Sequence, residues 1–527
     1  MNCTIRQAAS TKIIELSAPM LLCEALAGRG LPIDMPCGGR QQCLKCRVVA
    51  RGELSPPSDR ERALLSPEEL ERGVRFACMA TVLGDVTVEL TTDEGKEHIL
   101  TQGVLPEFVS EPWAHGLGAA VDIGTTTLAA YLYRLEDGIR LAAGSAKNPQ
   151  ASYGADVISR LDKALNGAAQ GLAETVRTEL AELLKSLCDS AGFSVGELNA
   201  LTITGNTAML YLLCGENPAS IAAAPFRQDD SFGRMVSPES LGLALRPNAT
   251  VYLTRVISAY VGGDITSAAL AAGFAQPASS NKPRIELLCD IGTNGEMVLS
   301  CDDRLYGCST AAGPAFEGAG LHCGMNARSG AIHRVTLEQG RIVSHVLDGG
   351  EAKGICGSGI VDALAVLLDA GVLDESGYLN EDGHGYEDCI TEIDDSPAFR
   401  LPGTSVAITQ RDVRTIQLAK SAICAGMTAL LAKAGLEAGQ VERFLIAGGF
   451  GSCIDVRSAE RIGLILPGFA GKSTVLGNAA GTGACMTLLS RTMLEQSEHL
   501  SKKVETLELS TDPVFMDAYV EGMLFPS

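Results

Sequence analysis

The chain has 527 residues, 46% of them hydrophobic and 20% charged, a globular composition that excludes a disordered or collagen-like polymer. Acidic residues number 63 against 42 basic ones, a net charge of -21, and a phosphate backbone would repel such a surface, so nucleic acid is excluded as a partner. The length predicts roughly three or four structural units. Mean hydropathy is +0.16, yet no apolar run approaches the ~20 residues that a spanning helix needs, so no membrane span is expected. The apolar stretch 16–23 lies between Glu15 and Glu24 with no basic region before it, which argues against a signal peptide. Seventeen scattered cysteines, an odd number, predict reduced thiols in a cytoplasmic protein rather than a disulfide framework.

In chain order, residues 1–92 read as a small independent α+β unit. Strands are expected over 4–16 and 86–90, a helical turn or two over 20–27, and a cysteine cluster between them. Cys37, Cys43 and Cys46 are spaced C-x5-C-x2-C, and Cys78 follows further on. A zinc ribbon pairs two C-x2-C knuckles and only one is present, whereas three thiolates on a glycine-rich loop plus a distant fourth suit a [2Fe-2S] cluster. The spacing thus favours that cluster over zinc or over buried unliganded thiols. Gly38 and Gly39 would let the loop wrap it. Residues 93–115 carry charges, glycines and prolines without periodicity and read as a linker.

Two lobes are expected next, 116–280 and 281–527, because one motif occurs twice. Asp122-Ile123-Gly124-Thr125-Thr126-Thr127 and Asp290-Ile291-Gly292-Thr293-Asn294 each join two strand-like runs. A glycine turn can bring amides to a phosphate oxygen, threonine hydroxyls add donors, and an aspartate at a strand end can hold Mg2+ through its waters. Such turns also occur as plain hairpins, but a duplicated pair points to a clamp on a triphosphate. A third element, Phe444 to Gly451, reads as a strand entering a turn with Gly448, Gly449 and Gly451. Amphipathic helices are expected over 169–190, 361–373 and 409–434, the last opened by a Thr409/Asp412 capping box. Two rival nucleotide motifs fail: Gly471-Lys472-Ser473 has Leu466 where a P-loop needs glycine, and Gly357-Ser358-Gly359 has Asp362 where a dinucleotide fingerprint needs glycine.

Together the three glycine elements resemble the two phosphate motifs and the adenosine motif of the actin, sugar kinase and heat-shock ATPase superfamily. That resemblance implies two ribonuclease-H-like subdomains closing over ATP and Mg2+. It also places Gly262-Gly263-Asp264 on the interlobe connecting helix, where Asp264 would either orient an attacking water or be a solvated surface residue. The cysteine spacing is similar to the adrenodoxin-like branch of the ferredoxin fold, implying a β-grasp unit. The combination resembles the reductive activators of corrinoid-dependent methyltransferases, as do Asn148-Pro149-Gln150, Arg160, Thr204-Gly205-Asn206-Thr207, Ala312 to Gly318 and Gly354 to Ile360.

The resemblance implies ATP-dependent return of an inactive Co(II) corrinoid to Co(I), with electrons from an upstream low-potential donor passing through the cluster. A plant-type centre sits near ~-400 mV, so the transfer is uphill and needs a drive. The implied partner is the corrinoid protein of a methyltransferase system, and a homodimer is left open. A dehydratase-type activator fits less well, since its cluster bridges ATPase subunits. Two other classes stay open: a small-molecule kinase with a fused ferredoxin, and a redox-sensing interaction protein that binds ATP.

Overall fold

The computed structural model describes residues 1–7, 10–16, 19–27, 41, 46–89, 105–276, 284–380 and 382–527. In the N-terminal unit the expected run 4–16 is a hairpin of Asn2–Gln7 and Ser10–Glu15. Alternation along Thr81–Glu89 buries every second residue, and this last strand pairs parallel with the first and antiparallel with Arg47–Leu54. The parallel pairing of first and last strands, flanked by two hairpins, is the β-grasp arrangement. Of the expected 20–27 helix, only Leu22–Ala27 is helical, because Met20 and Leu21 pair with Thr81 and Val82. Two helices that the sequence reading passed over, Asp59–Leu64 and Pro67–Arg72, are each opened by a serine and closed on a glutamate three residues later.

The duplicated motif gives duplicated sheets. Leu117–Ile123, Thr127–Arg134 and Ile139–Lys147 form an antiparallel meander, and Leu198–Gly205 adds in parallel beside the first strand. Likewise Ile285–Ile291, Gly295–Cys301 and Arg304–Thr310 form a meander with Arg443–Ala447 parallel beside its first strand. The Asp-bearing strand is central in each sheet, and both its faces are buried, so its C-terminal end is where a turn must leave the sheet.

Two helices join the lobes by exchange. Helix Gly263–Ala271 follows the first sheet, yet Ile265, Ala268 and Ala269 pack with Leu288, Val298 and Leu445 of the second. Helix Ala479–Leu489 follows the second sheet, yet Ala484, Cys485 and Leu488 pack on Ala120, Tyr131 and Tyr133 of the first. The two helices lie so close that a Cβ at Gly483 would collide with the Ser267 backbone. Residues 105–115, within the segment read as linker, run along the end of the second of these helices. The Glu111 amide donates to Leu489 O at 3.0 Å, and the Trp113 indole donates to Thr487 O at 3.0 Å.

Helix Ala169–Ser190 has the expected bounds, and Gln410–Ala434 starts at its Thr409 cap with the expected box to Asp412. Gln410–Ala434 is also long and apolar enough to cross a membrane by length and composition, but 72% of its most apolar stretch is buried within the lobe. The helix expected over 361–373 spans Gly357–Asp369 instead. Its start needs glycine for close approach: a Cβ at Gly357 would strike the Phe316 carbonyl, and one at Gly359 the Ile332 carbonyl. Gly471-Lys472-Ser473 is a turn whose ammonium donates to Ala438 O and Val441 O, both at 2.8 Å, a structural role that removes it from phosphate binding.

Candidate functional site

Two regions carry the residues singled out in the sequence. In the N-terminal unit, Cys46 and Cys78 are buried with their sulfurs 3.3 Å apart. Cys46 opens the strand Arg47–Leu54, and the Ala77 amide donates to Cys46 O at 2.9 Å, which fixes the pair. The neighbouring Cys78 pulls the Cys46 thiol below its ordinary range, whereas burial pushes Cys23 up to about 12 and Cys3 up to about 11. Of these three thiols only that of Cys46 is shifted toward the thiolate a ligand needs. Cys37 and Cys43 lie outside the described residues. Two thiols side by side and not joined in a disulfide fit half of an iron-sulfur ligand set.

The turn before Cys78 is braced from below. The buried Glu61 carboxylate accepts from Arg75 Nε at 2.9 Å and Arg75 Nη2 at 3.0 Å, and from the Phe76 amide at 3.3 Å. Although burial alone would raise the carboxyl, these donors together hold Glu61 below the usual range.

In the two-lobed part, Asp122, Gly124, Thr125, Thr126, Thr127 and Asp264 face Asp290, Gly292, Thr293, Asn294, Gly448 and Gly449 across one cleft. Gly451 does not line it; a Cβ there would press on the Ala447 carbonyl. The first turn is closed by the Gly124 amide to Thr127 O at 3.0 Å. It is held from behind by three residues whose role the sequence alone left open. Asn148 Nδ2 donates to Gly124 O at 2.8 Å, Arg160 Nη2 to Thr125 O at 2.6 Å, and Asn206 Nδ2 to Thr125 Oγ1 at 3.2 Å. The second turn is closed by the Gly292 amide to Asn294 O at 3.0 Å. Gly448 sits at φ +90°, and a Cβ there would collide with an Asp290 carboxylate oxygen, so only glycine brings the third element against the second turn.

Four carboxyls gather at the bottom of the cleft. Burial, aided by the charge of Asp290, pushes Asp122 up to about 7 against a hydrogen bond from Asn478. Burial pushes Asp290 up to about 6. Asp264, on the first turn of its helix, rises well above the carboxylate range through burial and then the charges of Asp122 and Asp290, and Glu296, opposite Asp290 in the hairpin, through burial and then the charges of Asp264 and Asp290. Asp264 is therefore a cleft residue rather than a solvated one. Glu296 Oε1 is buried without a hydrogen-bond partner. Such a concentration of desolvated acid calls for a cation. Among the described residues no three acidic or sulfur side chains converge on one metal position, so these residues fit Mg2+ held jointly with phosphate oxygens and waters, as that ion prefers.

Sequence reasoning missed Glu296, Asn478 and the contact of Glu317, whose carboxylate accepts from Thr126 Oγ1 at 2.6 Å and from Thr293 Oγ1 at 2.5 Å. Gly357-Ser358-Gly359, read in the sequence only as a turn or helix start, opens helix Gly357–Asp369 with Gly357 and Ser358 lining the cleft, and the stacking of the Phe316 and Phe450 rings, 4.8 Å apart, was missed. Glu296 had a local signal, two residues beyond Asn294 of the duplicated turn. The others depend on contacts between distant segments.

Comparison with known proteins agrees with this architecture. The family model described as the RACo middle region matches residues 117–277, and that described as the C-terminal domain of RACo, the ASKHA domain, matches residues 284–527. The chain is 30% identical to the corrinoid activation enzyme RamQ of Eubacterium limosum over 97% of each chain. It is 26% identical to the [Co(II) methylated amine-specific corrinoid protein] reductase of Methanosarcina barkeri over 76% of each. A stretch of 80 residues, 15% of this chain and 18% of the other, is 32% identical to a component of the Na(+)-translocating NADH-quinone reductase of Chlamydia pneumoniae. A solved structure of a reductive activator for a corrinoid iron-sulfur protein aligns over 99% of this chain and 98% of that one, with a TM-score of 0.72 and 28% identity. The two lobes, their facing turns and these full-length likenesses have one meaning: the chain belongs to the family of RACo-type reductive activators of corrinoid proteins.

Proposed function

We propose that this protein is an ATP-driven reductase of a corrinoid protein, returning inactive Co(II) to Co(I) by delivering one electron. Cys37, Cys43, Cys46 and Cys78 would hold a [2Fe-2S] cluster, which supplies one-electron transfer when bound. Its electron would come from an external low-potential donor. The 80-residue similarity to a component of an NADH-quinone reductase supports an electron-carrying unit in this chain. The cleft would bind ATP with Mg2+: the two turns present hydroxyls and amides to the phosphates, Asp122 and Asp290 position the cation through water, and Asp264 orients the attacking water. Gly448 and Gly449 would take the adenosine side. We place the reaction in the cytoplasm, where thiols such as the 15 cysteines that form no disulfide among the described residues stay reduced.

The observation that carries this reading is the pairing, in one chain, of two adjacent buried thiols with a cleft whose acid is out of balance without a cation. A ferredoxin alone needs no such cleft, and a kinase needs no such thiols. The full protein, MgATP, a strong reductant and a Co(II) corrinoid protein should give the absorption of Co(I). Cys78→Ala should hydrolyse ATP yet deliver no electron, and Asp290→Asn should keep a reducible cluster yet give little Co(I). Equal Co(I) formation without ATP, or phosphate appearing on a small metabolite, would overturn the proposal.

A further inference from the structure

Glu317 lies on the short turn Pro314–Glu317 that follows the second meander. It is the one side chain, among the described residues, shown hydrogen-bonding the threonines of both phosphate turns, Thr126 of the first lobe and Thr293 of the second. Both bonds, at 2.6 and 2.5 Å, are as short as hydroxyl-to-carboxylate bonds become. Two oxygens on one carbon, each capped by a hydroxyl from an opposing turn, reproduce what two non-bridging oxygens of a phosphate would accept. Behind the first turn lies the buried guanidinium of Arg160, and Glu317 is the strongest charge supporting its ionised form. The carboxylate therefore sits in the field that a phosphate would use.

A threonine hydroxyl has one proton to donate. While Thr126 and Thr293 donate to Glu317 they cannot donate to a nucleotide, and a triphosphate that accepts from both hydroxyls must displace the carboxylate from both hydrogen bonds. From this we propose that Glu317 is a nucleotide-displaced latch, a positioning residue that ties the two phosphate turns together and is released when a triphosphate replaces it. The exchange requires no covalent chemistry: two hydroxyl-to-carboxylate bonds become two hydroxyl-to-phosphate bonds, and the freed carboxylate stays beside Arg160. The latch rests on the nucleotide reading of the cleft and adds to it the residue whose displacement reports occupancy of both turns at once.

Glu317→Gln leaves a single acceptor oxygen in place of two and removes the charge, so one hydroxyl is released and the entering phosphates meet less repulsion. Titration calorimetry of the full-length protein with Mg2+ and the non-hydrolysable ATP analogue AMP-PNP should show binding about tenfold tighter than wild type. Hydrogen exchange over residues 122–128 and 290–296 should be faster than wild type without nucleotide and equal to it with AMP-PNP bound. A change in local charge alone would not loosen the empty turns, which makes exchange the deciding readout. If Glu317→Gln fails to fold, Glu317→Asp, too short to reach both hydroxyls, should shift both measurements in the same direction. Unchanged or weaker affinity, or unchanged exchange in the empty protein, overturns the latch while leaving the nucleotide site standing. Failure of wild type to bind AMP-PNP at all overturns the nucleotide reading and the latch with it.

Discussion

Replacing Asp290 by Asn should make the nucleotide-free protein more stable while removing the function of its cleft. In the folded chain burial lifts this carboxyl to about 6 from an ordinary 3.8. The folded state thus holds a proton that the unfolded chain has already lost, and stability falls as pH rises from about 4 through 6. At ~1.4 kcal/mol per tenfold change in proton affinity, the gap is worth about 3 kcal/mol once pH exceeds ~7. The charge of Asp290 also helps to raise Asp122, so its loss relieves a second group. For a lobe of this size the gain corresponds to a rise of about 5–10 °C in melting temperature. Thermal melts in EDTA at several pH values between 4.5 and 8.5 should show Asp290→Asn ahead of wild type by about 1 kcal/mol at the acid end, with the lead widening to the full ~3 kcal/mol at the alkaline end. With Mg2+ and AMP-PNP the order should reverse, since the cation offsets the repulsion only where the charge exists. Asp290→Asn melting below wild type at pH 8 in EDTA, or an advantage that does not change with pH, would refute the argument that desolvated acid is the feature demanding a cation.

Three further outcomes are expected. Iron and acid-labile sulfide should each approach about two per chain in the wild type and fall together in Cys46→Ser and Cys78→Ser; chemical analysis and visible absorption check this, and stoichiometric zinc would contradict it. Glu61→Ala leaves the buried Arg75 guanidinium without its carboxylate, so the N-terminal unit should lose about 3 kcal/mol in denaturant titration, with loss of iron during the same transition. Gly448→Ala forces a side chain into a φ of +90° and against Asp290, so AMP-PNP affinity by calorimetry should drop at least about tenfold, with circular dichroism unchanged.

How much of this was legible in the sequence follows from the range of each interaction. The duplicated turns, the Thr409 cap and helix Ala169–Ser190 are set by residues within a few positions of one another, and the reading of each survives in the structure. The same local logic would have found helices Asp59–Leu64 and Pro67–Arg72 from Ser58 with Glu61 and Ser66 with Glu69, a signal present but passed over. Helix Gly357–Asp369 starts four residues before the expected 361, and what requires its opening glycines, close contact of Gly357 with Phe316 and of Gly359 with Ile332, lies in other segments. Glu317 stood out in the sequence only as one member of the run Ala312 to Gly318. That it joins Thr126 to Thr293 depends on the lobes facing each other, which no periodicity encodes.

The exchange of helices gives the cleft mechanical significance. Asp264 stands in the first turn of helix Gly263–Ala271, and Asn478 caps helix Ala479–Leu489 while bonding Asp122. Both helices thus begin at the carboxylate cluster, and each runs from there onto the sheet of the other lobe. Their contact at Gly483 and Ser267 leaves no room for one to slide without moving the other. A change of charge or ligation at the cluster is therefore applied to the ends of the two rods that join the lobes. Residues 105–115, through which the chain enters the first lobe, are bonded to the far end of one of those rods at Thr487 and Leu489. Displacement of that helix end would carry the Glu111 and Trp113 contacts with it, because both are hydrogen bonds to its last carbonyls.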